Sequence, residues 1–252
     1  MRHKKLTKEQ PADKNTLLAQ LESGLMDEID YSKIDWAMVP ESHLACQDAD
    51  GWTPLHWAAA SSELKRVPRK FMTVENMSRP DCGGNSPLHV FTEHNNNLSD
   101  LPDSVLKLLG KLRNKKGWTP MHWISFSGAL TEVPDQYITK ETLLAQSDVG
   151  NTPMHYFVQR DSSLLHLKRL NLLDAETLLC ADIDGCTPLH HCSSSQQSLN
   201  VLLGIKLPKE ALEIVPESWY RLNETVIAER EADALFAASI KKSPKDAIDI
   251  DF

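Results

Sequence analysis

The stretch Asp48-Ala49-Asp50-Gly51-Trp52-Thr53-Pro54-Leu55-His56 decides how this chain folds. An Asp followed closely by Gly makes a tight turn, because the carboxylate bonds nearby amides and Gly accepts a positive φ. Thr53 then has the chemistry of a helix N-cap, a hydroxyl that can accept from an amide the helix leaves unpaired. Pro54 fits the first helical position, where its missing N–H costs nothing. Leu55 opens an apolar side that continues at helical spacing through Ala58, Ala59 and Ser62. The reading is turn, cap, helix.

The same phrase returns along the chain. Ser86-Pro87-Leu88-His89, Thr119-Pro120-Met121-His122, Thr152-Pro153-Met154-His155 and Thr187-Pro188-Leu189-His190 follow Thr53-Pro54-Leu55-His56 at intervals of 33, 33, 33 and 35 residues. Turn signals precede each copy: Asp81 to Gly84, Asn114 to Gly117, Asp148 to Gly150 and Asp182 to Gly185. A second apolar segment separates each helix from the next turn. It holds Leu64, Val67, Phe71, Met72 and Met77 in the first copy, and Leu130, Val133, Tyr137, Ile138 and Leu143 in the third. One unit alone would leave its apolar faces bare, and stacked neighbours cover them.

The period and the T-P-x-H start resemble the ankyrin repeat, over roughly residues 14 to 219. The resemblance implies an all-α solenoid of helix-turn-helix units with turn or hairpin tips. It has five recognisable repeats between an N-terminal and a C-terminal cap. Proline interrupts the second helix at Val67-Pro68, Leu101-Pro102 and Val133-Pro134, so each proline should start a short helix after a loose turn. Thr73-Val74-Glu75-Asn76 and Thr139-Lys140-Glu141-Thr142 read as further capped turns. This variant loosely resembles bacterial ankyrin proteins. Copies one and three share Gly-Trp-Thr-Pro-x-His-Trp, a sign of a two-repeat period.

The expected organisation is one repeat domain over 14–240. It comprises a cap over 14–52, repeats at 53–85, 86–118, 119–151, 152–186 and 187–216, and a cap helix over 217–240. Residues 1–13 and 241–252 read as tails, the first basic and the last ending on Asp246-Ala247-Ile248-Asp249-Ile250-Asp251-Phe252.

Composition narrows the function. The chain has 252 residues, with 27 basic and 35 acidic side chains. That balance argues against a phosphate-backbone binder, which needs clustered cations, and favours a protein partner. No stretch near 20 apolar residues suggests a membrane span. Five scattered cysteines without an export signal suggest reduced thiols and a cytoplasmic protein, with a signal-less secreted effector as the other reading. A monomer is expected.

Ten histidines invite a catalytic or metal reading. Five belong to the repeat, and the resemblance implies that they bond backbone of a neighbouring loop. Cys186, His190, His191 and Cys192 are the best metal candidates, but the repeat itself explains two of them. No nucleophile elbow, Walker loop, H-E-x-x-H or dinucleotide glycine pattern occurs. No enzyme, metal or cofactor is expected.

The expected function is therefore a non-catalytic adaptor, inhibitor or effector that binds a protein through the concave face. A self-associating scaffold is the alternative, and a metal or thiol enzyme around Cys186, His190 and Cys192 a more distant one. The contact positions implied by the resemblance are Trp52, Asn85, Trp118 and Asn151 before the caps. Late in the first helices they are Glu93, His94, Phe126, Gln159 and Arg160. On the turn tips they are Asp50, Lys115, Lys116 and Asp184. Trp52 and Trp118 carry two readings: partner contact, as Trp is enriched at hot spots, or a role in stacking.

Overall fold

A computed structural model describes residues 14–94 and 97–242. The basic first residues and the acidic–apolar last ones lie outside that range. Among the described residues there is no strand. The helices are α1 (Lys14–Ser23), α2 (Pro54–Ala60), α3 (Val74–Ser78), α4 (Pro87–His94), α5 (Asp103–Leu106), α6 (Pro120–Ser127) and α7 (Lys140–Leu143). They continue as α8 (Pro153–Phe157), α9 (Asp161–Arg169), α10 (Ala175–Leu179), α11 (Pro188–Ser193), α12 (Gln196–Val201) and α13 (Glu217–Lys242). Short 3-10 turns fill most of the gaps.

The chain forms two compact units. The first comprises residues up to Phe157 together with Ala181–Cys186, and the second comprises Val158–Cys180 and the chain from Thr187 onwards. In the first unit α2 packs on α4, α4 on α6 and α6 on α8. Each of these is a T/S-P-x-H helix, and Leu55, Leu88, Met121 and Met154 are fully buried. Burying such a side chain stabilises by roughly 1.5–3 kcal/mol. The second layer adds Leu64, Met77, Leu98, Leu130 and Leu143, each at most 1% exposed.

Proline shapes that second layer as expected. Pro68, Pro102 and Pro134 are N-caps of Arg69–Phe71, α5 and Asp135–Tyr137, so none interrupts a helical ladder. Thr73 and Thr139 cap α3 and α7. Each capped turn is clamped from inside: Asn76 donates to the carbonyl of Phe71 at 3.0 Å, and Thr142 to that of Tyr137 at 3.0 Å. Ser62 departs from the apolar side expected of it. It is exposed, with φ of 59°, where the chain leaves α2.

In the second unit α9 packs on α12, and α11 on both α10 and α12. Thr177 repeats the clamp by donating to Leu172 at 2.9 Å. The residues before Cys186 that lengthen the fourth interval form the nine-residue α9 where earlier copies have 3-10 turns. The first turns of α13 are anchored by Trp219, whose indole donates to Leu199 at 2.9 Å. Buried Asn223 bridges the backbone of Gly204 and Ile205.

Candidate functional site

The turns are built by one rule. Asp48 Oδ1 accepts from the amides of Asp50 and Trp52, and the Asp48 amide bonds the Trp52 carbonyl at 3.0 Å. Asp81, Asn114 and Asp182 repeat this with Asn85, Trp118 and Cys186. The fourth turn is shifted from its sequence reading. Ser147, not Asp148, holds the first position: its amide bonds Asn151 at 2.8 Å, and its carbonyl accepts from Gly150. The short Ser147 hydroxyl is buried without a hydrogen-bond partner among the described residues.

Neighbouring tips are then tied backbone to backbone. Cys82 donates to Asp50, Lys115 to Gly83, Asp148 to Lys116 and Ile183 to Val149, at 2.9–3.1 Å. The glycines allow that approach. A Cβ on Gly84, whose φ is 81°, would lie 2.7 Å from the Lys115 amide nitrogen.

The repeated histidine is a second tie. Nδ1 of His56 accepts from the Thr53 amide at 3.0 Å and faces the Thr53 hydroxyl at 2.8 Å. With Nδ1 accepting, the proton sits on Nε2, which donates to the next turn: His56 to Asn85, His89 to Trp118, His122 to Asn151 and His155 to Cys186, at 3.0–3.2 Å. Burial pushes the His89 and His122 imidazoles down to about 4, against the pull of the carbonyls they bond. They are neutral bridges between copies. His190 keeps the cap half of the motif but is exposed.

The fold is that of ankyrin repeats. The assignment rests on this register of turn, cap and histidine bridge. No family model and no curated protein matches the chain. Among solved structures, the ankyrin repeat domain of Bcl-3, described as a unique member of the IkappaB protein family, matches with 18% identity. The match covers 63% of this chain and 71% of that one, at a TM-score of 0.44.

On this ankyrin framework the aromatic residues of the first unit gather in two clusters. In copy one Trp52 stacks over His56 and packs on Trp57, with ring centroids 4.8 Å apart. Trp57 is covered by Tyr31, stacked at 6.3 Å, and its indole donates to Asp48 Oδ2 at 2.8 Å. In copy three Trp118 stacks over His122 and packs on Trp123 at 4.9 Å. There the likeness ends. Asn114 replaces Asp48, and its amide donates to Asn85 Oδ1. The Trp123 indole N–H is buried with no acceptor among the described residues. Tyr156 meets Trp118 at 5.7 Å and Phe126 edge-on at 6.0 Å. Phe126 itself is 60% exposed. The first cluster is roofed by Tyr31 and its Trp57 indole is bonded, whereas the second leaves the Trp123 indole without an acceptor and Phe126 exposed as an aromatic ledge.

The contact positions implied by the resemblance fall into groups. Asp50, Glu93, His94, Lys115, Lys116, Phe126 and Asp184 are exposed in the first unit. Gln159 and Arg160 are exposed in the second. Trp52, Asn85, Trp118 and Asn151 are half-buried. Both tryptophans pack on rings of their own copy, His56 and Trp57 or His122 and Trp123, and Trp118 also meets Tyr156 of the next copy at one edge of the ledge. Asn85 uses its amide between Asp81 and Asn114. The sequence reading did not place Trp123 or Tyr156 among the contact positions. Their shared signal is the slot after the repeated histidine, which holds Trp57, Trp123 and Tyr156 in copies one, three and four.

The metal candidates do not gather. Among the described residues no group of three or more His, Cys, Asp or Glu is arranged to hold a metal ion. Cys192 is buried, with its thiol donating to the Val158 carbonyl at 3.8 Å. Among the described residues no helix is long and apolar enough to cross a membrane.

Proposed function

We propose that this chain is a non-catalytic protein-binding module, an adaptor, inhibitor or effector, that grips a partner protein on the face made by its turn tips and first helices. One observation carries the reading: the ledge of Trp118, Trp123, Phe126 and Tyr156 in the first unit, with Phe126 60% exposed. A large aromatic side chain left in water on a rigid helix is a ready anchor for a partner. The equivalent cluster around Trp57 is covered by the chain's own Tyr31, so exposure at the third copy is a local choice of sequence rather than a demand of the fold.

The test compares affinity capture from native cell extract by the parent chain and by Phe126→Ala. Phe126→Ala removes a ring that is 60% exposed together with its edge contact on Tyr156, so urea unfolding of the variant is measured beside the capture. A protein retained by the parent and lost by the variant supports the reading. An identical set of captured proteins removes the ledge from the binding surface.

A further inference from the structure

The second unit holds an open cavity of about 280 Å³ whose charged lining is Lys168, Lys206, Arg230 and one carboxylate, Asp174. Separate segments bring them together. Lys168 stands on α9, Asp174 caps α10, Lys206 lies in the loop after α12, and Arg230 stands on α13. Gly204, in that same loop with φ of 87°, lies under the Arg230 guanidinium, and a Cβ there would collide with Nη1.

Each cation has been given a place. Half-buried Lys168 donates to the carbonyls of Val201 and, at 3.1 Å, Leu203, where α12 ends. An ammonium has three N–H groups, so a third is left over. Burial, and then the charge of Arg230, holds this ammonium below the ordinary lysine range. Two like charges that repel at close range are both stabilised by an anion set between them. Among the described residues no hydrogen bond or ion pair engages the Arg230 guanidinium. The acids of the site are already committed. Asp174 Oδ1 accepts from the Thr177 amide at 3.0 Å, and Glu231 pairs with Lys206 at 2.5 Å. Arg169, Glu176, Glu229 and Asp233 stand on the same helices but outside the lining, exposed to water that screens them.

We propose that this cavity binds a phosphate group, with the Arg230 fork on two of its oxygens and the ammonium groups of Lys168 and Lys206 on the rest. Arg pairs with phosphate through two parallel N–H bonds, and Lys meets it as a point charge. Even with Glu231 counted, the three lining cations outnumber the two carboxylates bound up with them. A phosphate dianion meets three cations, whereas a single carboxylate would answer only one. Free phosphate and a phosphorylated side chain offer the same chemistry. The site is separate from the aromatic ledge, which belongs to the first unit, and stands or falls without it.

The full chain, labelled with nitrogen-15, is titrated with inorganic phosphate and separately with a short phosphoserine peptide, at constant ionic strength. Saturable shifts of the Gly204, Ile205 and Lys206 amides are expected. Arg230→Gln should weaken binding about fivefold or more, and Glu231→Gln, which releases Lys206, should tighten it. Tighter binding of the peptide than of inorganic phosphate supports the site with a phosphorylated protein as the source, and equal binding supports it with free phosphate. Shifts that do not saturate, acetate that binds as well as phosphate, or an Arg230→Gln variant that binds like the parent each overturn the site. Urea unfolding of both variants separates a lost contact from a lost fold. Should Arg230→Gln fail to fold, Glu231→Gln decides, and binding no tighter than the parent's then counts against the site.

Discussion

His89 Nε2 donates to the carbonyl of Trp118, 29 residues further along the chain, at 3.1 Å. On the other side of the ring Nδ1 accepts from the Ser86 amide at 3.1 Å, which it can do only while the imidazole is neutral. Protonation would turn that acceptor into a donor facing a donor. The His89 and His122 values of about 4 lie below the ordinary 6.5, so between those limits the unfolded chain binds protons that the folded chain refuses. Stability is therefore full above about pH 6.5 and falls as pH drops towards 4. By pH 5 each of the two costs about 2 kcal/mol. Urea unfolding at pH 7.5 and pH 5 checks this, and a midpoint that does not fall would contradict it.

Removing one bridge should be costly only inside the stack. His122→Ala strips the Thr119 amide of its acceptor and the Asn151 carbonyl of one of its two donors, in a site with no exposure. A loss of about 2–4 kcal/mol is expected. His190→Ala removes an exposed ring that makes only the cap half of the motif, and should cost about 1 kcal/mol or less. Equal losses for the two would show that bridging to the next turn contributes nothing.

The glycines separate two effects. Gly84→Ala meets both a φ of 81° and a backbone nitrogen 2.7 Å away, whereas Gly185→Ala meets a φ of 77° and open space. The second should cost about 1 kcal/mol for the left-handed backbone alone, and the first clearly more. Thermal unfolding of both variants gives the difference. If it is nil, the tips are free to separate.

Asp48 and Asn114 occupy one position in two copies with different consequences. Asp48→Asn places an amide where Trp57 Nε1 now finds Oδ2 at 2.8 Å, and should cost about 1–3 kcal/mol. Asn114→Asp should cost less, because the Trp123 indole gains the acceptor it lacks while Asn85 loses its donor. Chemical unfolding followed by tryptophan fluorescence reads both. A larger loss for Asn114→Asp would mean that the Asn85–Asn114 bond outweighs the orphaned indole.

The period, the caps and the histidine were legible because they are local chemistry repeated at fixed spacing. Thr53, Pro54 and His56 meet within one turn of helix, and their roles follow from their order. Proline as a starter of short helices was legible for the same reason, at Pro68 and Pro134. The fourth turn misled because Asp148 lies beside Ser147 and carries the more familiar turn chemistry. Pairing with the Asn151 carbonyl and the Lys116 tip set the register instead. The ledge was legible only in part. Phe126 was marked by its place late in α6, but Tyr156 joins it through packing between copies, a contact 30 residues apart that no single repeat announces.

The histidine bridges donate one copy forward and the ties between tips donate one copy back. Within the first unit, order is therefore handed along like a zip, every tooth closing on the one before. Slowed amide exchange at Cys82, Lys115, Asp148 and Ile183 would trace that zip tooth by tooth. The fourth turn, where Ser147 leaves its hydroxyl idle, is the tooth at which it should first part.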